Sequence, residues 1–381
     1  MKVAIIHDWL TGMRGGEKCL EVFCELFPHA DLFTLHYVKD SVSPKITRMN
    51  IHTSFLQHFP LIQRMYRFYL PLFPSAIEAL NIKDYRLILS ISHCAAKGVI
   101  PSPDALHIAY LLTPMRYAWD MYHEYFGIGH RRRLLRPFIP FFSNYLRLWD
   151  VSSNNRVDDF ICISNHVARR IRRYYRREAR VIHPPVDMSK FHIHSQREDY
   201  FLAVSSLVPY KRLDIAVSAF KAMKKRLIVI GKGPEEKRLR AMADSHIEFK
   251  GWQPDEVVAE CYSKCQALIF AGEEDFGIVP LEAMASGRPV IAYAKGGALE
   301  TVVPLQNRAP GDENPCTGVF FYEQNAEALI QAVKIFEAGR DSFDAGKLRD
   351  HARKWDLPIF REKLRACLQG LLAKHGEELP C

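Results

Sequence analysis

The sequence predicts an α/β protein made of two doubly wound, Rossmann-like domains. Three observations carry that reading. Apolar runs of strand length alternate with amphipathic stretches of helix length, the pattern of parallel sheets covered on both faces. The alternation restarts after residue 185. At 381 residues the chain is too long for one ordinary core and natural for two.

Taken in order, the first series of strands reads "KVAIIHDW", "RLILSIS", "LHIAYLL" and "DDFICIS", and the second reads "YFLAVSSL", "RLIVIG", "HIEFKG", "ALIFAG" and "RPVIAY". Between them, "RVIHPPVDMSKFHIHSQREDY" sets Pro184 and Pro185 before a polar stretch, which reads as a hinge. The predicted division is a first domain over 1–184, a second over 185–360 and a terminal helical segment over 361–381. In that segment and just before it, "ARKWDLPIFREKLRACLQGLLAKHG" reads as two helical pieces separated at Pro358. Ligands of such sheets bind at the carboxyl ends of the strands.

Composition narrows the function classes. With 48% hydrophobic and 25% charged residues the chain is not extensively disordered. Nine scattered cysteines without a CxxC pair read as reduced thiols of a cytosolic protein. The first apolar run is too short for a signal peptide, and no stretch of 18 apolar residues occurs. The net charge of +9 is uneven, with arginine gathered in "RRRLLR" (131–136) and "ARRIRRYYRREAR" (168–180). An anionic partner, either a lipid surface or a phosphorylated substrate, competes here with a solvated helix face. No nucleic-acid recognition motif accompanies the charge.

The opening "MKVAIIHDWLTGMRGGEKCLEVF" has the outline of a strand, a glycine-rich turn and a helix start. "GMRGGE" lacks the GxGxxG spacing of a dinucleotide fingerprint, which argues against a dehydrogenase.

The most informative passage is "ALIFAGEEDFGIVPLEAMASGRPVIAY" (267–293). A strand runs into Glu273, Glu274 and Asp275, then Phe276-Gly277, a helix with Pro280 in its first turn, a stop at Gly287 and a new strand. Free N–H groups around Phe276, Gly277 and Ile278 would favour an anion such as a diphosphate. Glu274 before the helix and Glu282 within it suit sugar hydroxyls, at ~1.5–3 kcal/mol per charge-assisted hydrogen bond. Diphosphate between two hydroxylated rings describes a nucleotide-sugar. The competing reading makes Glu282 a helix-dipole carboxylate and the acids a solvated loop.

"EEDFGIVPLEAMASGRPVIA" resembles the donor-site signature of the family 4 glycosyltransferases of the GT-B fold. "FLAVSSLVPYKRLDIAVSAF", "VIGKGPEEKRL", "IEFKGWQPDEVVAECYSKCQALIF", "ARVIHPPVD" and "ICISNHVARRI" resemble further segments of that family in the same order. The resemblance implies two Rossmann-like domains facing a cleft, with the terminal helix returning to the first. It implies that Glu274 meets the donor sugar, Glu282 the ribose diol, and Lys211 the phosphates, with Arg212 a second cation. Trp252 falls near the nucleobase, and Gly15 and Gly16 form a turn that approaches the diphosphate. Ser164 is either a cleft residue or a buried structural serine. Ser206 stands where relatives have arginine, and Leu112 where many have histidine; His93, His123 or Arg116 could take the latter's place.

The same resemblance implies retaining transfer without a metal or other cofactor, and no D-x-D occurs in the chain. It points to bacterial mannosyltransferases that use GDP-mannose for O-antigen or exopolysaccharide, with a UDP-sugar as the alternative donor. The expected acceptor is a lipid-linked diphosphate saccharide. The aromatic, arginine-bearing "FLQHFPLIQRMYRFYLPLFP" (55–74) suggests contact with the inner face of the cytoplasmic membrane, or else a core segment with snorkelling arginines. A sugar-nucleotide epimerase and a catalytically weak binding protein are the readings of other classes.

Overall fold

The computed structural model describes residues 1–122, 138–307 and 315–379. His123 and the "RRRLLR" cluster lie outside the described residues. The chain divides into two compact units, Met1–Pro184 with Arg361–Cys381, and Pro185–Phe360.

The first unit holds a seven-stranded parallel sheet. Its strands are β1 (Val3–His7), β2 (Asp31–Thr34), β3 (Asn50–Thr53), β4 (Leu87–Ser92), β5 (Leu106–Leu111), β6 (Asp159–Cys162) and β7 (Arg180–Val181). They lie in the order β3-β2-β1-β4-β5-β6-β7. Every residue of β1, β4 and β5 is buried, which is why these strands read as near-continuous apolar runs. Register along the sheet centre runs from Val3 opposite Leu87 to His7 opposite Ile91.

The second unit holds β8 (Phe201–Val204), β9 (Leu227–Ile230), β10 (Ile247–Gly251), β11 (Leu268–Phe270), β12 (Val290–Tyr293) and β13 (Gly318–Phe321). Their order is β10-β9-β8-β11-β12-β13, again all parallel.

Helices that bear on the argument are α1 (Gly15–Leu26), α2 (Ile139–Ser152), α3 (Asn165–Tyr175), α4 (Leu213–Met223), α5 (Asp255–Lys264), α6 (Ile278–Ala285), α7 (Ala326–Ala338) and α8 (Leu357–Lys374). One core cluster of the first unit gathers Trp9, Tyr66, Phe73, Ile77 and Trp149. In the second, the Phe201 ring packs edge-on against Phe220 of α4 and Phe336 of α7, at 5.1 and 5.8 Å between centroids.

Four strands escaped the apolar-run reading. β2 "DLFT" and β3 "NIHT" are four residues with polar positions, β7 is two residues, and β13 follows the segment 308–314 outside the description. Pairing with a neighbour makes these strands, not their own periodicity. The break expected at Pro358 falls two residues earlier, at extended Asp356, between the 3-10 turn Arg353–Trp355 and α8. Pro358 is the second residue of the continuous helix α8, where its missing N–H would have had no helical partner. From Arg361 onward the chain belongs to the first unit, with Arg361 paired to Glu25 near the start of α8, and Lys374 and His375 at and just past its end, 3.0 and 2.7 Å from the Asp159 carboxylate.

Candidate functional site

In the second unit the chain leaves β8 for β9 and β10 on one side, then returns to β11 and continues outward on the other. The topological switch point therefore lies between β8 and β11, where open α/β sheets place their ligands. The loop after β8 carries Lys211, and the loop after β11 carries Glu274. These two side chains meet there as an ion pair, each largely enclosed.

Glycines bring the surrounding loops this close. A Cβ on Gly272 would stand 2.9 Å from Lys211 Cα, so the β8 and β11 loops touch backbone to backbone. Gly231, at φ +135°, and Gly233 follow β9; side chains there would reach within 1.8 Å of the Ser205 carbonyl and 2.3 Å of the Leu207 carbonyl. Backbone hydrogen bonds from Ser205 to Ile230 and from Leu207 to Lys232, both 3.0 Å, fasten the two loops. From the far side, Gly297 N–H donates to the Glu274 carbonyl at 2.8 Å.

The acidic triplet is not a solvated loop. Glu273 pairs with Lys295 at 3.0 Å, Glu274 pairs with Lys211, and Asp275 is buried. The bond with Glu273 raises the affinity of Lys295 for its proton. Phe276 is buried, Gly277 turns at φ +86°, and α6 begins at Ile278. One turn into that helix, Glu282 accepts a 3.0 Å hydrogen bond from the hydroxyl of Tyr262 on α5. Tyr262 is fully buried, and burial together with Glu282 holds its phenol firmly protonated. No sequence signal singled out Tyr262 or Lys295, because their partners lie 20 and 22 residues away.

Other expected residues fall less centrally. Arg212 sits in the left-handed region at φ +52°, with its guanidinium bonded to Asp214 and Gln324. Trp252 follows the edge strand β10 and is 67% exposed. Ser206 is exposed.

In the first unit the switch point lies between β1 and β4. Gly15 opens α1, and a Cβ on Gly16 would meet Leu112 Cδ1 at 2.8 Å, so the glycine turn closes on Leu112. Asp8, fully buried, accepts backbone N–H groups from His93, Cys94, Ala95 and Ala96 at 2.6–3.0 Å. Burial alone would raise its pKa, but His93, 2.9 Å away, and His7 outweigh that and hold it at about 2. Ser164 is fully buried, and its hydroxyl accepts from Val167 N–H at 3.0 Å as the cap of α3. Arg116 is half-buried. Among the described residues no group of three or more His, Cys, Asp or Glu side chains is placed to hold a metal ion.

The fold is that of the GT-B glycosyltransferases, two parallel Rossmann-like sheets in one chain. Sucrose-phosphate synthase from Thermosynechococcus elongatus has it at a TM-score of 0.68 and 16% identity, with 98% of this chain and 100% of that one covered. Within this fold, residues 187–355, nearly all of the second unit, match the family model of group 1 glycosyl transferases. An uncharacterized glycosyltransferase of Methanocaldococcus jannaschii is 31% identical over 163 residues, 41% of this chain and 46% of that protein. The O-antigen chain mannosyltransferase RfbU of Salmonella typhimurium is 31% identical over 188 residues, 46% of this chain and 52% of that protein. The alignments thus span about half the length of these two relatives.

Proposed function

We propose that the protein is a retaining glycosyltransferase that moves mannose from GDP-mannose onto a lipid-linked saccharide in bacterial surface polysaccharide synthesis. The observation that carries this reading is the meeting of Lys211 and Glu274 at the switch point of the unit that matches the group 1 glycosyl transferases. Likeness to an O-antigen mannosyltransferase supports the choice of sugar.

In this reading the helix-start amides of Phe276, Gly277 and Ile278 take the donor diphosphate and Glu282 takes the ribose diol. Glu274 holds hydroxyls of the transferring sugar. The bond from the sugar's anomeric carbon to phosphate oxygen breaks while a bond to the acceptor oxygen forms on the same face. The acceptor's proton passes to the departing phosphate, whose charge Lys211 stabilises. Transfer needs no metal on this account. The protein works at the inner face of the cytoplasmic membrane, where a lipid-linked acceptor resides.

A thermal-shift panel of GDP, UDP, ADP, CMP and NAD tests the donor, followed by transfer from the matching sugar nucleotide to a lipid-extracted acceptor. Stabilisation of about 2.7 kcal/mol is expected from GDP at a hundredfold excess over Kd. A response to UDP alone would move the donor to a UDP-sugar, and a response to NAD alone would overturn the reading.

A further inference from the structure

Helix α2 shows a face that soluble proteins normally hide. Phe141 is 76% and Leu148 65% exposed, and Phe138, Phe142, Tyr145 and Val151 are exposed with them. Phe141, Tyr145 and Leu148 fall at helical spacings of three and four on the side away from buried Ser143, Leu146 and Asp150. Contiguous apolar stripes of this size mark an interaction surface.

The topology says what lies beside it. The crossovers β3 to β4, β4 to β5, β5 to β6 and β6 to β7 all advance in one direction across the sheet. Right-handed connections put them all on one face. That face carries residues 54–86, α2 and α3 side by side. Contacts agree: Trp149 of α2 donates to Glu78 at 2.7 Å, and Tyr175 of α3 donates to Asp150 of α2 at 2.8 Å.

Arginine predominates among the exposed charges of this face, with Asp84 and Glu178 as exposed carboxylates beside it. On α3, Arg169 and Arg173 lie one turn apart and are exposed, on the side away from buried Val167 and Ile171, and Arg176, which ends the helix in the left-handed region, is exposed beyond them. In residues 54–77, Arg64 and Arg67 are exposed and no carboxylate occurs. An aromatic stripe between outward arginines fits a bilayer carrying anionic headgroups, with rings at the acyl boundary and guanidinium groups at the phosphates. No described helix is long and apolar enough to cross the bilayer.

We propose that α2 lies in the surface of an anionic membrane, its Phe141 and Leu148 face inserted and the α3 arginines on the headgroups. This rests on the reading of a lipid-linked acceptor and names the surface that meets the lipid.

Full-length protein is tested by co-sedimentation with phosphatidylcholine vesicles, with and without phosphatidylglycerol, that hold no saccharide acceptor. Binding only to the phosphatidylglycerol vesicles is expected. Phe141→Ser with Leu148→Ser should lower it at least tenfold, and each of Arg169→Gln, Arg173→Gln and Arg176→Gln by about fivefold with a shallower salt dependence. Melting temperature and GDP response should stay unchanged in every variant, which separates this proposal from the donor reading. Wild-type failure to bind, or full binding by the Phe141/Leu148 variant, overturns it. So does a wild-type dimer that the same substitutions dissociate, since a second copy would then cover the stripe.

Discussion

Lys211 and Glu274, 63 positions apart in sequence, form an ion pair between the loops that end β8 and β11. Each is the other's counter-ion in the ligand-free protein, and each is assigned a different part of the donor. Lys211→Ala and Glu274→Ala should each lower transfer by about a hundredfold or more, the scale of losing one oriented charge from the transition state. Lys211→Ala should also weaken binding of the free nucleotide diphosphate, whereas Glu274→Ala should not. Steady-state transfer and calorimetric titration with GDP check both, and undiminished transfer in both variants would remove the site.

Tyr262 holds Glu282 from beneath. Tyr262→Phe deletes one hydroxyl and leaves the carboxylate without that donor, a loss of about 1 kcal/mol or fivefold in nucleotide affinity. The check compares GDP with guanosine lacking its ribose diol. If Glu282 holds the diol, the variant loses affinity for the first and not for the second.

Gly297 leaves no space for a side chain, since a Cβ would stand 2.2 Å from Phe276 Cα. Gly297→Ala should push the Glu274–Phe276 backbone away and reduce transfer more than tenfold. Gly12, with nothing within 4 Å of its would-be Cβ, is at φ +152°. Transfer by Gly297→Ala equal to wild type would show that this loop does not set the site.

Acid sensitivity of the first unit follows from two histidines. Burial lowers His36 and His107 from the ordinary 6.5 to about 4. Between those values the unfolded chain binds protons that the folded one refuses. Stability from these groups is therefore complete above pH 6.5 and is lost as pH falls toward 4, at up to about 1.4 kcal/mol per pH unit for each. His36 packs against the Tyr66 ring at 4.9 Å, and among the described residues its ring nitrogens have no hydrogen-bond partner. His36→Phe should flatten part of the slope in denaturant titrations across this range. An unchanged slope would assign the acid loss elsewhere.

Much of this was legible before any coordinates. Buried strands such as "LILSIS" and "LHIAYL" announce themselves because a strand covered on both faces must be apolar throughout. The stretch from Glu274 to Gly287 was legible because Gly277, Pro280 and Gly287 act on their own backbone, through φ and a missing N–H, before any distant partner is present. The strands β2 and β3 were not, for their four residues gain strand geometry only from neighbours. The α2 stripe was invisible for the opposite reason: "IPFFSNYLRLW" is as apolar as a core helix, and only packing shows which side is left outside.

Sequence alone determined the long buried strands, the restart of the pattern after residue 185 and the strand–turn–helix outline from Glu274 to Gly287, since these depend on short-range periodicity and backbone chemistry. Tertiary structure decided which charges pair. Lys211 with Glu274, Lys295 with Glu273 and Tyr262 with Glu282 come together because parallel strands with right-handed crossovers bring loops from distant points of the chain to one sheet edge, and sequence separation carries no record of that distance.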